Sequence, residues 1–116
     1  EVGCGLGTDT MNFARAGASV TAVDLSTASL ELARRRAEVF GLQDRIRFVE
    51  ANAERLSEFV QPEPYDLVYS FGVIHHTPHP ERALKDGPQQ VTPDVFVTLM
   101  HELKPIADAV GRGLAQ

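Results

Sequence analysis

The chain has 116 residues, a net charge of −5, and hydrophobic and charged fractions of 43% and 23%, values that fit one small globular domain and not two. The acidic balance argues against nucleic acid as a partner, because the only basic run, Arg34-Arg35-Arg36, sits inside a predicted helix and reads as a solvated face. Cys4 is the only cysteine, which excludes an internal disulfide and fits a cytoplasmic setting, and no stretch reads as a membrane span or a signal peptide.

The chain opens on Glu1-Val2-Gly3-Cys4-Gly5-Leu6-Gly7, three alternating glycines behind an acid. Thr8 to Ala16 follows as a helix stopped by Gly17. Val20 to Val23 reads as a short buried strand ending at Asp24. Ser26 or Thr27 can cap a second helix running to about Phe40 with Leu30, Ala33, Ala37 and Phe40 on one side, and Gly41 stands where a left-handed C-terminal cap is expected. Ile46 to Val49 is the next strand. A loop marked by Pro62 and Pro64 leads to Tyr65–Ser70, expected as another strand. Strands alternating with helices imply an α/β fold with a parallel sheet covered on both faces. Near the end, Val95 to Val110 carries helical spacing after Thr92-Pro93, but Val95 to Met100 also reads as a buried strand and Pro105 interrupts a long helix. The alternating order favours a strand over 95–100 followed by a helix.

Glycine tolerates positive φ and lets a ligand approach the backbone. Gly3, Gly5 and Gly7 lie between a strand end and a helix start, where free N–H groups favour an anionic or zwitterionic group. A tight turn without a ligand is the alternative. Asp24, ending the neighbouring strand, would face this loop and could accept hydrogen bonds from both ribose hydroxyls of a nucleoside, or could simply cap a turn. A dinucleotide site prefers Gly-x-Gly-x-x-Gly, and Thr8 stands where its third glycine would be, which disfavours an NAD(P)-dependent Rossmann oxidoreductase.

The spacing Glu1-x-Gly3-x-Gly5-x-Gly7 resembles motif I of class I S-adenosylmethionine-dependent methyltransferases. "VTAVDLS" is similar to the family's second strand with its ribose-binding acid, "FVEANAERL" to the segment lining adenine, and "YDLVYSFGVIHHTPHPERAL" to the fourth strand, its loop and the next helix. The resemblance covers about residues 1–84 and points to the small-molecule branch that includes quinone-biosynthesis enzymes. It implies a Rossmann-like doubly wound sheet, S-adenosyl-L-methionine as cofactor, and a small-molecule methyl acceptor of unspecified identity.

The resemblance also implies roles. Gly3, Gly5 and Gly7 would pass under the methionine part, Glu1 would hold the loop or the amino group, and Asp24 would bind the ribose. Leu25 would pack on adenine, Ala53 would offer it a backbone N–H, and Ser70 would lie near the transferable methyl. Asn52 stands where the family usually has aspartate; its amide oxygen can still accept from the adenine amino group, without a charge, so weaker binding is expected.

His75, His76 and His79 invite a metal reading, but adjacent side chains in an extended segment point apart and no acid or cysteine cluster joins them, so no metal is expected. One of His75 and His76 could take a proton from the acceptor, a task that suits histidine near neutrality; a structural or solvent-facing role is the alternative. Cys4 reads as a small loop-filling residue, with no base identifiable beside it. Methyl transfer by in-line displacement needs mainly positioning, so few catalytic side chains are expected.

Only Glu1 and Val2 represent the first strand, which the family places mid-sheet. "KDGPQQ" shortens the helix after Leu84, and the glycine-rich turn expected after "ELKP" is absent. The expectation is therefore one partial S-adenosylmethionine-binding domain over 1–116, truncated at the first strand and in the C-terminal part of the sheet, with 85–116 divergent and the piece alone marginal or inactive. A non-catalytic nucleotide-binding module is a further alternative.

Overall fold

The computed structural model describes residues 1–61 and 64–86. Pro62 and the alternatives for 92–110 lie outside the described residues. Helix α1 (Thr8–Arg15) is followed by β1 (Val20–Asp24), α2 (Thr27–Val39) and β2 (Ile46–Glu50), then by 3-10 turns over Ala53–Glu58 and Ile74–His76 and by α3 (Pro80–Asp86).

The helix ends follow from local chemistry. Ser26 has extended backbone, and its hydroxyl accepts from the Ser29 N–H at 3.2 Å, satisfying one orphan donor of α2. At the other end Gly41 takes φ +67, and the Leu42 N–H returns to the Ala37 carbonyl at 2.8 Å, closing the helix.

β1 and β2 pair in parallel, in register from Val20 opposite Ile46 to Asp24 opposite Glu50. Val2 bridges β1 at Val23, also in parallel. Across the layer the backbone order is therefore segment 65–70, Glu1–Val2, β1, β2, the central part of a doubly wound sheet. Two-residue alternation sends Val20, Ala22 and Ile46 to one face, where they bury Met11 and Ala14 of α1 and Leu30 and Ala37 of α2. Val23 goes to the other face with Val2, Ala51, Leu56 and Val60. There the turns of Ala53–Glu58 form the cover, and α3 packs against them. No helix among the described residues is long and apolar enough to cross a membrane.

Segment 65–70, expected as a strand, runs beside Val2 without a regular ladder. The Val2 N–H donates to the Tyr69 carbonyl at 2.8 Å and the Ser70 hydroxyl donates to the Val2 carbonyl at 3.0 Å. A ladder needs successive backbone groups on both sides, and after the bond to the Tyr69 carbonyl the Val2 carbonyl is met by the Ser70 side chain instead of a backbone N–H. Between β1 and this segment lies an open cavity of about 720 Å³, whose walls include Glu1, Thr21, Tyr65, Leu67 and Tyr69.

Candidate functional site

The glycine loop folds over the carboxyl end of β1. The Val23 carbonyl accepts from the N–H groups of both Gly3 (2.8 Å) and Cys4 (2.9 Å), which pins the start of the loop to the strand. Gly3, Gly5 and Gly7 all have positive φ, at +78, +52 and +75. A side chain at Gly3 would collide with Val73, whereas the space beside Gly5 is open. Gly7 precedes the first turn of α1 and provides no side-chain cap, so that turn's N–H groups have no capping partner from Gly7.

Asp24 stands against this loop. One carboxylate oxygen accepts from the Gly5 N–H at 2.7 Å and the other from the Ser26 N–H at 2.9 Å. The side chain thus fixes the loop and still has lone pairs on both oxygens. Asp24 also lines a small cavity of about 90 Å³ with Gly3, Leu25, Ala53 and Val73. This cavity lies at the carboxyl ends of the strands, where open α/β sheets bind ligands. The 720 Å³ cavity has Val20, Thr21, Ile46 and Arg47 in its wall, the starts of the strands, and is the wrong end for such a site.

The Glu1 carboxylate accepts from the hydroxyl of Thr10, a fully buried polar residue of α1. Burial raises the Glu1 pKa above the ordinary carboxylate range; the bond from Thr10 opposes the rise. Glu1 therefore ties the loop to α1. Tyr69 donates to Asp9 at 3.1 Å on the same side, and burial, then that bond, raises its pKa. Burial first, then the charges of Asp24 and Glu1, pushes the Cys4 thiol up to about 12. A thiol so held carries almost no thiolate near neutrality, so Cys4 is a packed loop residue.

The structure brings Gly3, Asp24, Leu25 and Ala53 around one cavity. Leu25 is 68% exposed and free to pack against a flat ligand. The Asn52 side-chain oxygen accepts from the Glu54 N–H at 2.9 Å and caps the turn that begins at Ala53. Ser70 is tied to Val2. His75 and His76 depart from expectation: their segment is a 3-10 turn, not extended, and their rings lie side by side with centroids 3.9 Å apart. The rings are tilted by 43° to one another, so the two side chains meet instead of pointing apart. Both are exposed. Among the described residues no group of three metal-ligating side chains gathers.

Sequence reasoning missed two residues. Val73 packs directly on Gly3, a long-range contact without a local signal. Arg36, read as part of a solvated basic run, donates to the Leu6 carbonyl at 2.6 Å.

Comparison with known proteins follows the same outline. The model of the family described as methyltransferase domain matches residues 1–94. The chain is 32% identical over 113 residues to the ubiquinone biosynthesis O-methyltransferase of Actinobacillus pleuropneumoniae serotype 5b (strain L20), covering 90% of this chain and 46% of that protein. It is 35% identical over 97 residues to the protein of the same name from Paracidovorax citrulli (strain AAC00-1), covering 84% and 40%. The chain thus spans less than half the length of these relatives. Among solved structures it resembles the [4+2]-cyclase SpnF, with a TM-score of 0.63, 25% identity, and coverage of 73% of this chain and 31% of that one. The chain belongs to the class I S-adenosylmethionine-dependent methyltransferase family, with its Rossmann-like α/β fold.

Proposed function

We propose that this domain binds S-adenosyl-L-methionine and supports methyl transfer to a hydroxyl of a small-molecule acceptor. The observation that carries the reading is the Asp24–Gly5 hydrogen bond of 2.7 Å, which puts a strand-end carboxylate against a left-handed glycine loop. The names of the curated relatives support oxygen as the acceptor atom. The residues present fit the cofactor: a carboxylate with spare acceptor capacity, open space at Gly5, and an exposed apolar side chain at Leu25.

When bound, S-adenosylmethionine supplies a methyl group on a sulfonium, a good leaving group. Asp24 would accept from the ribose hydroxyls, Leu25 would cover one face of adenine, and the Ala53 N–H and Asn52 would address its edge. Gly5 leaves open space for the methionine part, Gly3 and Gly7 would carry the loop beneath it, and Glu1 and Ser70 would line its end. The acceptor hydroxyl's proton would pass to the imidazole of His75 or His76. Rate acceleration would come chiefly from alignment, and the chain's contribution is a rigid loop that holds one reactant.

The test is calorimetric titration of S-adenosylhomocysteine and NAD, with Asp24→Ala beside the native protein. Selective S-adenosylhomocysteine binding that weakens about tenfold or more in the variant, the size of lost charge-assisted hydrogen bonds, is expected. Selective NAD binding would overturn the reading. The similarity to a protein named as a cyclase favours a second reading, cofactor binding without methyl transfer, because a fold does not choose its reaction. Tight S-adenosylhomocysteine binding with no labelled methyl transferred across a panel of hydroxylated acceptors would support that alternative.

A further inference from the structure

Arg36 lies on α2, far in sequence from the glycine loop, yet it reaches the loop's exit. Its Nη1 donates to the Leu6 carbonyl at 2.6 Å and to the Thr8 hydroxyl at 3.3 Å. These two acceptors flank Gly7. One helical turn earlier, Ala33 meets the same spot: a Cβ built on Gly7 would come within 3.2 Å of the Ala33 Cβ. Ala33 and Arg36 are three residues apart and share one face of α2. Ala33 is fully buried, and its small side chain sets how closely α2 approaches Gly7.

From this arrangement we infer that Arg36 is a positioning residue for the cofactor, holding residues 6–8 so that the end of the glycine loop and the start of α1 keep one geometry. The loop's entrance is fixed by the Val23 carbonyl and its middle by Asp24. Among the described residues its exit is held within the loop, by the Gly7 N–H on the Cys4 carbonyl at 2.8 Å, and not by a direct bond to the sheet. Gly7 takes φ +75 where the chain turns into α1, and Leu6 beside it is half exposed. The guanidinium, a charged donor joined to a packed helix, supplies the missing fixed point. The inference rests on the proposed reading, in which the methionine part of the cofactor lies over the loop and the adenosine part over Asp24, Leu25 and Ala53. An exit that wanders then weakens recognition of the amino-acid end and leaves the nucleoside end in place.

The experiment compares S-adenosylhomocysteine with adenosine as ligands, by calorimetry, for the native protein, Arg36→Ala, Arg36→Lys and Thr8→Val, each checked for folding by circular dichroism. Arg36→Ala is expected to weaken S-adenosylhomocysteine binding about tenfold while adenosine affinity stays within about twofold. Arg36→Lys, which keeps a charged donor to one acceptor, recovers part of the loss. Thr8→Val, which removes only the longer bond, gives a smaller effect of the same selectivity. Equal weakening of both ligands would mean a merely structural role and would overturn the inference, as would an Arg36→Ala protein that binds both normally. If Arg36→Ala does not fold, Arg36→Lys and Thr8→Val decide by the same ratio. Failure of the native protein to bind S-adenosylhomocysteine would instead overturn the cofactor reading itself.

Discussion

Replacing Gly3 by alanine tests the geometry of the loop most directly. Gly3 has φ +78, and a Cβ built there falls 2.3 Å from Val73 Cγ2, 2.6 Å from Cγ1 and 2.8 Å from Cβ. Because the Val73 Cβ is itself too close, rotating its side chain cannot relieve the overlap, and the backbone near Ile74–His76 has to move. The left-handed conformation costs an alanine about 1–2 kcal/mol, and overpacking adds about 1–3 kcal/mol, for a loss of about 2–5 kcal/mol. Gly5→Ala is the internal control. It has positive φ as well, +52, but nothing lies within 4 Å of the built Cβ. Its cost is then the conformational part alone, about 1–2 kcal/mol. Urea unfolding reads both. Combining Gly3→Ala with Val73→Gly removes the three nearest clashing atoms, so the double-mutant cycle should show a coupling of about 1–3 kcal/mol, the overpacking share. Equal losses for Gly3→Ala and Gly5→Ala, or a cycle with no coupling, would refute the claim that Val73 sits on the loop.

Two further outcomes follow from the electrostatics of the loop. Because the folded-state pKa of Glu1 lies above the ordinary 4.5, the native state holds its proton longer than the unfolded chain, so Glu1 lowers stability as pH rises from about 4.5 through the folded value. Glu1→Gln, which can still accept from Thr10, should flatten that part of a stability-versus-pH curve; an unchanged slope would count against a buried, ionisable Glu1. With its thiol pushed up to about 12, Cys4 should react with iodoacetamide at pH 8 far more slowly in the folded protein than in urea, and equal rates would contradict the burial.

Much of this domain is written in short-range chemistry. The glycines that need positive φ, the Ser26 cap, the Gly41 stop and the alternation of Val20, Ala22 and Val23 depend on neighbours a few residues away, so the elements from Thr8 to Glu50 are legible from the sequence nearly to their ends. The pairing of Asp24 with the glycine loop was legible too, because right-handed crossovers place successive strand ends side by side. The tertiary structure decided what local chemistry does not encode. Segment 65–70 has strand-like composition, but a strand exists only as part of a ladder, and here the Ser70 side chain, not the backbone, meets the Val2 carbonyl. His75 and His76 lie side by side in a 3-10 turn where the composition suggested extended chain. Arg36 looked like solvated charge, and only the approach of α2 to Gly7, made possible by the small Ala33, turned it towards the loop. Local preference determined which elements form and which residue types meet at the strand ends. Packing between distant segments decided which side chains hold the site in shape.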